Sequence, residues 1–96
     1  MKDKSELLRQ RLKSGPIVKA MGAHNGLGAK LIERAGFDAV WSSGLEISTA
    51  HALPDANILT MTETFEAARG IHEATTLPVV CDCDTGYGNA ANVKHM

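Results

Sequence analysis

Residues 77–89 read LPVVCDCDTGYGN and join a short apolar run to an abrupt polar, glycine-rich end. The apolar part, residues 77–81, is typical of a buried β-strand bounded by turn residues. A strand that is apolar on both faces is characteristic of a parallel sheet buried between layers of helices. This stretch therefore predicts an α/β fold, with polar side chains placed where the strand ends.

The rest of the chain repeats this alternation of strand and helix. Two further apolar segments, residues 17–21 and 37–41, are also predicted to be strands. Helical periodicity and capping signals predict helices at residues 5–13, 24–35, 45–52 and about 60–74, and a last one after Asn89. In the second helix, the shared apolar face is predicted to consist of Leu27, Leu31, Ile32 and Ala35. The order is a helix followed by three strand–helix units, which implies parallel strands with right-handed crossovers.

Composition excludes several classes of function. Ten basic and eleven acidic residues are spread along 96 positions, so a nucleic-acid-binding role has little electrostatic basis. The apolar runs fall far short of the roughly 20 residues that a membrane helix needs. Residues 1–6 carry mixed charge and predict no secretory signal. With only two cysteines, Cys81 and Cys83, a reduced cytoplasmic setting without membrane partners is expected.

Polar residues follow each predicted strand, where ligands gather in parallel α/β folds. Asp82 and Asp84 are two apart on an extended segment, so their carboxylates are expected on one side and the two cysteines on the other, packed. Paired carboxylates favour Mg²⁺ or Mn²⁺. Two alternatives remain open: one aspartate caps the next turn while the other is solvated, or the pair forms a phosphatase-like Asp-x-Asp motif.

The second strand end offers a different kind of site. Ser43, Gly44 and Leu45 provide a hydroxyl and closely spaced amides, which would form an anion cradle if Leu45 begins a helix. A plain strand-to-helix turn fits this spacing equally well. Trp41 either walls the site or is a buried strand-end aromatic. Asp55 follows a proline and is either a carboxylate near the site or a turn residue.

Three segments together resemble one family. They are residues 21–48 (MGAHNGLGAKLIERAGFDAVWSSGLEIS), 53–63 (LPDANILTMTE) and 77–93 (LPVVCDCDTGYGNAANV). They resemble the phosphoenolpyruvate mutase and phosphonopyruvate hydrolase branch of the isocitrate lyase superfamily. The resemblance implies a (β/α)8 barrel, which needs about 250 residues. Residues 1–96 are therefore expected to form the N-terminal part of a single catalytic domain, with about three of its eight units.

The resemblance also implies a role for each candidate residue. Asp82 and Asp84 would organise Mg²⁺, and Asp55 would lie close to the reacting phosphoryl group of phosphonopyruvate. The turn Ser43-Gly44-Leu45 would hold the pyruvyl part of the substrate, with Trp41 beside it. On this basis Asp55, Ser43 and Trp41 are the expected catalytic residues.

The implied activity is that of a phosphoenolpyruvate mutase acting on a small-molecule substrate, in a homo-oligomer when the chain is complete. Leu45 agrees with mutases, whereas residues 46–48 and 54–59 look more like hydrolases. A phosphonopyruvate hydrolase, a methylisocitrate lyase-type enzyme and an inactive truncated fragment are therefore alternatives. Because later parts of the family's site lie beyond residue 96, the chain by itself is expected to be inactive.

Overall fold

The computed structural model describes residues 3–96. The prediction of no secretory signal concerns residues 1–6, and Met1 and Lys2 among these lie outside the described residues. The helices are α1 (Lys4–Ser14), α2 (Gly26–Arg34), α3 (Gly44–Ala50), α4 (Met61–Ala74) and α5 (Ala90–His95). The strands are β1 (Ala20–Ala23), β2 (Ala39–Ser42) and β3 (Val79–Cys81). The predicted order of elements is confirmed. Within residues 3–96, no helix combines the length and apolarity needed to cross a bilayer.

The three strands form one parallel sheet in the order β1-β2-β3. Ala20 pairs with Ala39 at one end of the first ladder, and Ser42 pairs with Cys81 at the far end of the second. Each strand is joined to the next through helical structure, as parallel pairing requires. In the described chain β2 is therefore central, and β1 and β3 are the edges of the sheet.

The strand boundaries differ from the hydropathy pattern, most of all in β1. A strand was expected at residues 17–21, but the ladder begins only at Ala20 and Ile17 is 81% exposed. Pairing with β2 decides the start, since Asp38 N–H donates to the Lys19 carbonyl at 2.9 Å. Lys19 N–H in turn donates to Asp38 Oδ2 at 2.9 Å. Apolar residues before this junction have no neighbouring strand to join.

Helices α2 and α4 pack on one face of the sheet and form the core with it. The buried cluster consists of Ala23, Ala29, Ile32, Val40, Ile71 and Leu77. Trp41 alternates with the buried Val40 and Ser42, lies on the opposite face and is 38% exposed. We call this opposite face, which carries Gly22, Trp41 and Val80 in register, the open face. Within residues 3–96 the helical layer therefore covers only one side of these strands, and the open face is the side that a complete barrel encloses.

Helix starts follow the local sequence closely. Thr60 and Glu63 form the predicted capping box of α4, with Thr60 N–H donating to Glu63 Oε1 at 3.0 Å and Glu63 N–H donating to Thr60 Oγ1 at 3.1 Å. Asn89 caps α5, as predicted. Ser43 caps α3, which places this short helix directly after the end of β2. These caps set where each polar strand-end segment turns into a helix.

Candidate metal and substrate site

The ends of β2 and β3 bring the two candidate segments side by side. Ser43 N–H donates to the Ala23 carbonyl at 3.2 Å, and Asp82 N–H donates to the Ser42 carbonyl at 3.0 Å. Both bonds extend the ladders by one residue past the strands. Residues 43–45 and 82–84 therefore meet at the carboxyl end of the sheet, which is where parallel folds carry their sites.

Asp82 is held by backbone amides on both of its carboxylate oxygens. Gly44 N–H donates to Oδ2 at 3.2 Å, and Asp84 N–H donates to Oδ1 at 3.0 Å. A Cβ at position 44 would lie 2.6 Å from Asp82 Oδ2 and 3.4 Å from Asp84 Oδ1. Glycine at this position therefore lets both aspartates approach the turn.

This contact changes the interpretation of the anion cradle. The sequence pattern offers the amides of residues 43–45 to an external anion, yet the Gly44 amide already binds the Asp82 carboxylate. Glu46 N–H donates to Ser43 Oγ at 3.2 Å. Within the described residues the Leu45 N–H makes no hydrogen bond, so it is the amide of this turn left for a ligand.

Asp84 is the more available of the two paired carboxylates. Its side chain is exposed, and its backbone has a φ of 46° that few side chains adopt. Partial burial, followed by the charges of Asp82 and then Asp55, raises the pKa of Asp84 above its ordinary value. The structure thus brings Asp55, from the exposed loop after α3, within electrostatic range of Asp84. No hydrogen bond joins Asp55 to the pair within residues 3–96.

The two aspartates suit a hard divalent cation. Mg²⁺ prefers carboxylate oxygens, takes few of them and keeps several waters. Within residues 3–96 no three His, Cys, Asp or Glu side chains converge to hold a metal, so this segment offers only the aspartate pair. A cation there would also relieve the repulsion that raises the Asp84 pKa.

The other predicted residues lie around this centre at different distances from it. Ser43 is buried and uses its hydroxyl to cap α3. Trp41 precedes Ser42, the last residue of β2, and lies on the open face, where it pairs with Gly22 and Val80 of the neighbouring strands. Leu45 is 57% exposed and lines a cavity of about 330 Å³ together with His24 and Glu46. Gly44, Asp82 and Asp84 therefore form the contacting group, and Ser43 adjoins it as the cap of α3.

Tyr87 supports the loop that carries the aspartates, and sequence reasoning did not identify it. Its ring meets Phe65 of α4 edge to face, with centroids 6.1 Å apart. Its hydroxyl donates to the Asp82 carbonyl at 3.5 Å, and burial raises the pKa of this phenol. An aromatic residue between Gly86 and Gly88 is the signal from which such an anchor could have been inferred.

The two cysteines are half-buried, and each thiol donates to a backbone carbonyl of its own segment, Cys81 Sγ to that of Asp82 at 3.6 Å. Cys83 Sγ donates to the Cys81 carbonyl at 3.6 Å. Burial, with a second contribution from the Cys83 thiol, raises the pKa of Cys81 to about 11. A thiol in that state is a poor nucleophile and a poor metal ligand.

A parallel α/β sheet with polar side chains gathered at its carboxyl end is the arrangement in which α/β barrels and doubly wound α/β proteins carry their sites. A sequence model of the family described as phosphoenolpyruvate phosphomutase matches residues 8–96. The chain belongs to that family, within the phosphoenolpyruvate mutase and isocitrate lyase superfamily. The expected N-terminal part of a (β/α)8 barrel, with three strand–helix units, is confirmed by the likeness to solved structures of this superfamily, of which the chain covers about a third.

Among solved structures, the phosphoenolpyruvate phosphomutase of Streptomyces platensis subsp. rosaceus is 56% identical, with a TM-score of 0.94 over 97% of this chain and 32% of its own. A phosphonopyruvate hydrolase in complex with oxalate and Mg²⁺ is 49% identical, with a TM-score of 0.92 over 96% of this chain and 32% of its own.

Curated relatives carry different activities. Phosphonopyruvate hydrolase of Variovorax sp. (strain Pal2) is 48% identical over 97% of this chain and 32% of its own length. 2,3-Dimethylmalate lyase of Eubacterium barkeri is 47% identical over 90% of this chain and 30% of its own length. The chain thus spans about a third of the length of these relatives. They share an enzyme superfamily, but their activities range over mutase, hydrolase and lyase.

Proposed function

We propose that the protein is a Mg²⁺-dependent phosphoenolpyruvate mutase, which interconverts phosphoenolpyruvate and phosphonopyruvate. The observation that carries the site of this proposal is the contact between Gly44 N–H and Asp82 Oδ2 at 3.2 Å. It joins the turn proposed to hold the substrate to the carboxylates proposed to hold the metal. The 56% identity to a phosphomutase of solved structure supports the same activity.

Each residue of the aspartate pair and of the turn after β2 has a proposed role. Asp82 and Asp84 hold the metal, directly or through water, and when bound the metal supplies positive charge for a substrate oxyanion. Ser43, Gly44 and Leu45 orient the carboxylate and carbonyl oxygens of the pyruvyl part, for which the Leu45 N–H is available. The proposed magnesium dependence is supported by the related hydrolase, whose structure is a complex with oxalate and Mg²⁺.

Asp55 and Trp41 are proposed to complete the surroundings of the reacting group. Asp55 lies close to the transferred phosphoryl group, consistent with its electrostatic effect on Asp84. Trp41, on the open face beside the turn, walls the substrate and limits access of water. In the proposed reaction the phosphoryl group moves between the C2 oxygen and the C3 carbon, so these residues mainly position it and exclude solvent.

Phosphonopyruvate hydrolysis is the second candidate. The curated hydrolase is 48% identical over nearly the whole chain, and residues 46–48 and 54–59 resemble hydrolases. A carbon–carbon lyase is a third candidate, because 2,3-dimethylmalate lyase is 47% identical. All three candidates share the aspartate pair and the turn, so the distinction depends on what surrounds the substrate.

Phosphorus NMR separates the mutase from the hydrolase, and proton NMR of a parallel sample with 2,3-dimethylmalate tests the lyase. The full-length protein that contains residues 1–96 is incubated with phosphonopyruvate and Mg²⁺, with a parallel sample in EDTA. Conversion to phosphoenolpyruvate supports the mutase, and free phosphate supports the hydrolase. If neither product forms and 2,3-dimethylmalate is cleaved instead, the phosphonate function is wrong. Turnover that persists in EDTA would contradict the metal assignment.

A further inference from the structure

The segment after β3 carries an aromatic residue in a backbone conformation that few side chains adopt. Tyr87 has a φ of 62°, and Asp84, Gly86 and Gly88 also have positive φ values. For a side chain as bulky as that of tyrosine the left-handed region is a true outlier, which persists only where surrounding contacts enforce it. The shape of residues 82–88, which we call the aspartate loop, therefore depends on what holds Tyr87.

The ring of Tyr87 is held by α4. It meets the ring of Phe65 edge to face, with the centroids 6.1 Å apart and the planes at 80°. Burial raises the pKa of the phenol, and the side chain of the buried Thr64 lies close enough to oppose that rise. Both contacts come from consecutive residues of a helix of 14 residues, so the ring is tied to a regular element of the fold.

The two glycines beside Tyr87 let the aspartate loop pack closely on α5. A Cβ at Gly86 would lie 2.3 Å from Val93 Cγ2, and one at Gly88 would lie 2.3 Å from Asn92 Oδ1. The loop is thus confined by α5 on one side and by the contact of its ring with α4 on the other. A loop confined in this way transmits the position of the ring to the two aspartates at its start.

The far end of the phenol reaches the backbone of a proposed metal ligand. Tyr87 Oη lies 3.5 Å from the Asp82 carbonyl oxygen, which is long for a hydrogen bond. The Asp82 carboxylate is fixed by the amides of Gly44 and Asp84. Asp82 is therefore held by the turn after β2 through its side chain and by Tyr87 through its carbonyl. Because the hydroxyl contact is long, the ring is expected to contribute more than the hydroxyl.

We propose that Tyr87 is a positioning residue of the metal site, whose ring locks the aspartate loop against α4 and so fixes Asp82 and Asp84 in the geometry that a divalent cation requires. This inference rests on the proposed binding of Mg²⁺ by the aspartate pair. Mg²⁺ demands a nearly ideal octahedron with short bonds, so residues that orient its ligands affect its affinity. In this role Tyr87 contacts neither metal nor substrate.

The test measures Mn²⁺ affinity by electron paramagnetic resonance and stability by urea unfolding, both on the full-length protein. Tyr87→Leu removes the ring and should weaken Mn²⁺ binding by about three- to tenfold, the range expected for the loss of one aromatic pair. Tyr87→Phe keeps the ring and should restore most of that loss. Phe37→Leu is the matched control, because Phe37 packs against the core near the opposite end of the sheet. It should lower the stability and leave the Mn²⁺ affinity unchanged.

Phe65→Leu removes the same contact from its other side. It should also weaken Mn²⁺ binding, and it provides the comparison if Tyr87→Leu does not fold. The double variant Tyr87→Leu/Phe65→Leu should lose less binding free energy than the sum of the two single variants, because each of them already removes the one contact.

Three results would overturn this inference. They are wild-type Mn²⁺ affinity in Tyr87→Leu and Phe65→Leu, an equal loss in Phe37→Leu, and a loss in Tyr87→Phe as large as in Tyr87→Leu. In each case the wild-type protein still binds Mn²⁺, and the proposed function stands. If the wild-type protein binds no Mn²⁺, or if Asp82→Ala binds it equally well, the proposed metal site and this inference both fall.

Discussion

At the scale of single residues, the candidate site depends on positions without a side chain. Gly44 lets the carboxylates of Asp82 and Asp84 approach the turn after β2, and Gly22 makes room for Glu46. Both glycines have ordinary backbone conformations, so it is the close approach of neighbouring groups that requires them. Substitutions that add one carbon should therefore affect the site before they affect the fold.

Gly44→Ala is expected to displace Asp82, because the new Cβ would lie 2.6 Å from Oδ2. Crowding of this kind typically costs about 1–3 kcal/mol unless the neighbour moves. We expect weaker Mn²⁺ binding, measured by electron paramagnetic resonance in the full-length protein, with a native circular dichroism spectrum. Gly70→Ala is the matched control, since nothing lies within 4 Å of a Cβ there. Alanine in that helix should raise the free energy of unfolding by up to about 1 kcal/mol. Unaltered Mn²⁺ affinity in Gly44→Ala would contradict the geometry.

Asp82→Ala should abolish Mg²⁺-dependent turnover in the full-length protein, with a loss of roughly a hundredfold or more. The substitution removes a proposed metal ligand and the acceptor for the Gly44 and Asp84 amides. Turnover by phosphorus NMR and secondary structure by circular dichroism distinguish loss of the site from loss of the fold. Near-normal activity in a folded variant would show that Asp82 is not a metal ligand.

At the scale of elements, a single carboxylate joins α2 to the segment that leads into β3. Glu33 accepts hydrogen bonds from Thr76 N–H at 2.9 Å, from Thr76 Oγ1 at 2.6 Å and from the Thr75 hydroxyl. The hydrogen bond from the Thr75 hydroxyl, followed by those from the Thr76 hydroxyl and the Thr76 N–H, lowers the Glu33 pKa to about 2 from its usual 4.5. The contact spans more than forty residues of sequence, and it positions the start of β3 against α2.

Because the folded-state pKa of Glu33 is depressed, its contribution to stability is present above about pH 4.5 and is lost as the pH falls toward about 2. Glu33→Gln should be less stable than the wild-type protein at pH 6, and the difference should shrink across this window. Urea unfolding at several pH values measures it. Glu66→Gln should keep the wild-type pH dependence, and a constant difference for Glu33→Gln would refute the assignment.

At the scale of the whole molecule, residues 3–96 form a helical layer on one side of a three-stranded sheet. The open face carries Trp41, and β1 and β3 have unpaired edges in the described chain. Several large apolar side chains at the periphery are exposed, among them Met21, Leu27 and Leu31. Unpaired edges and exposed apolar surface are unfavourable in water, and the (β/α)8 relatives cover both by closing the sheet.

The single tryptophan allows this arrangement to be tested by fluorescence. Trp41 is 38% exposed in residues 3–96, so the emission of the 96-residue chain should lie at longer wavelength than that of a protein in which the open face is covered. A variant of the full-length protein in which Trp41 is the single tryptophan provides the comparison. Equal emission maxima and equal quenching by iodide would show that Trp41 is shielded in the short chain as well.

Local patterns in the sequence determined much of this protein. The order of helices and strands, the capping box at Thr60, the cap at Asn89 and the polar strand ends all depend on neighbours within a few residues. Such features follow from local backbone hydrogen bonding and from the periodicity of the side chains, and the amino-acid sequence is enough to predict both. The parallel arrangement follows as well, because strands separated by helices have few other ways to pair.

Other features depended on atoms that only the tertiary structure brings together. The predicted apolar face of α2 is exposed at Leu27 and Leu31, whereas Ala29 and Ile32 are buried, because α4 decides which side is covered. The Gly44 amide binds a carboxylate 38 residues away rather than an external anion. Glu46 leaves its capping position because a strand carbonyl takes the Ser43 N–H. Hydropathy and spacing carry no information about such long-range competition for hydrogen bonds, and so the arrangement of the candidate site was decided by the fold.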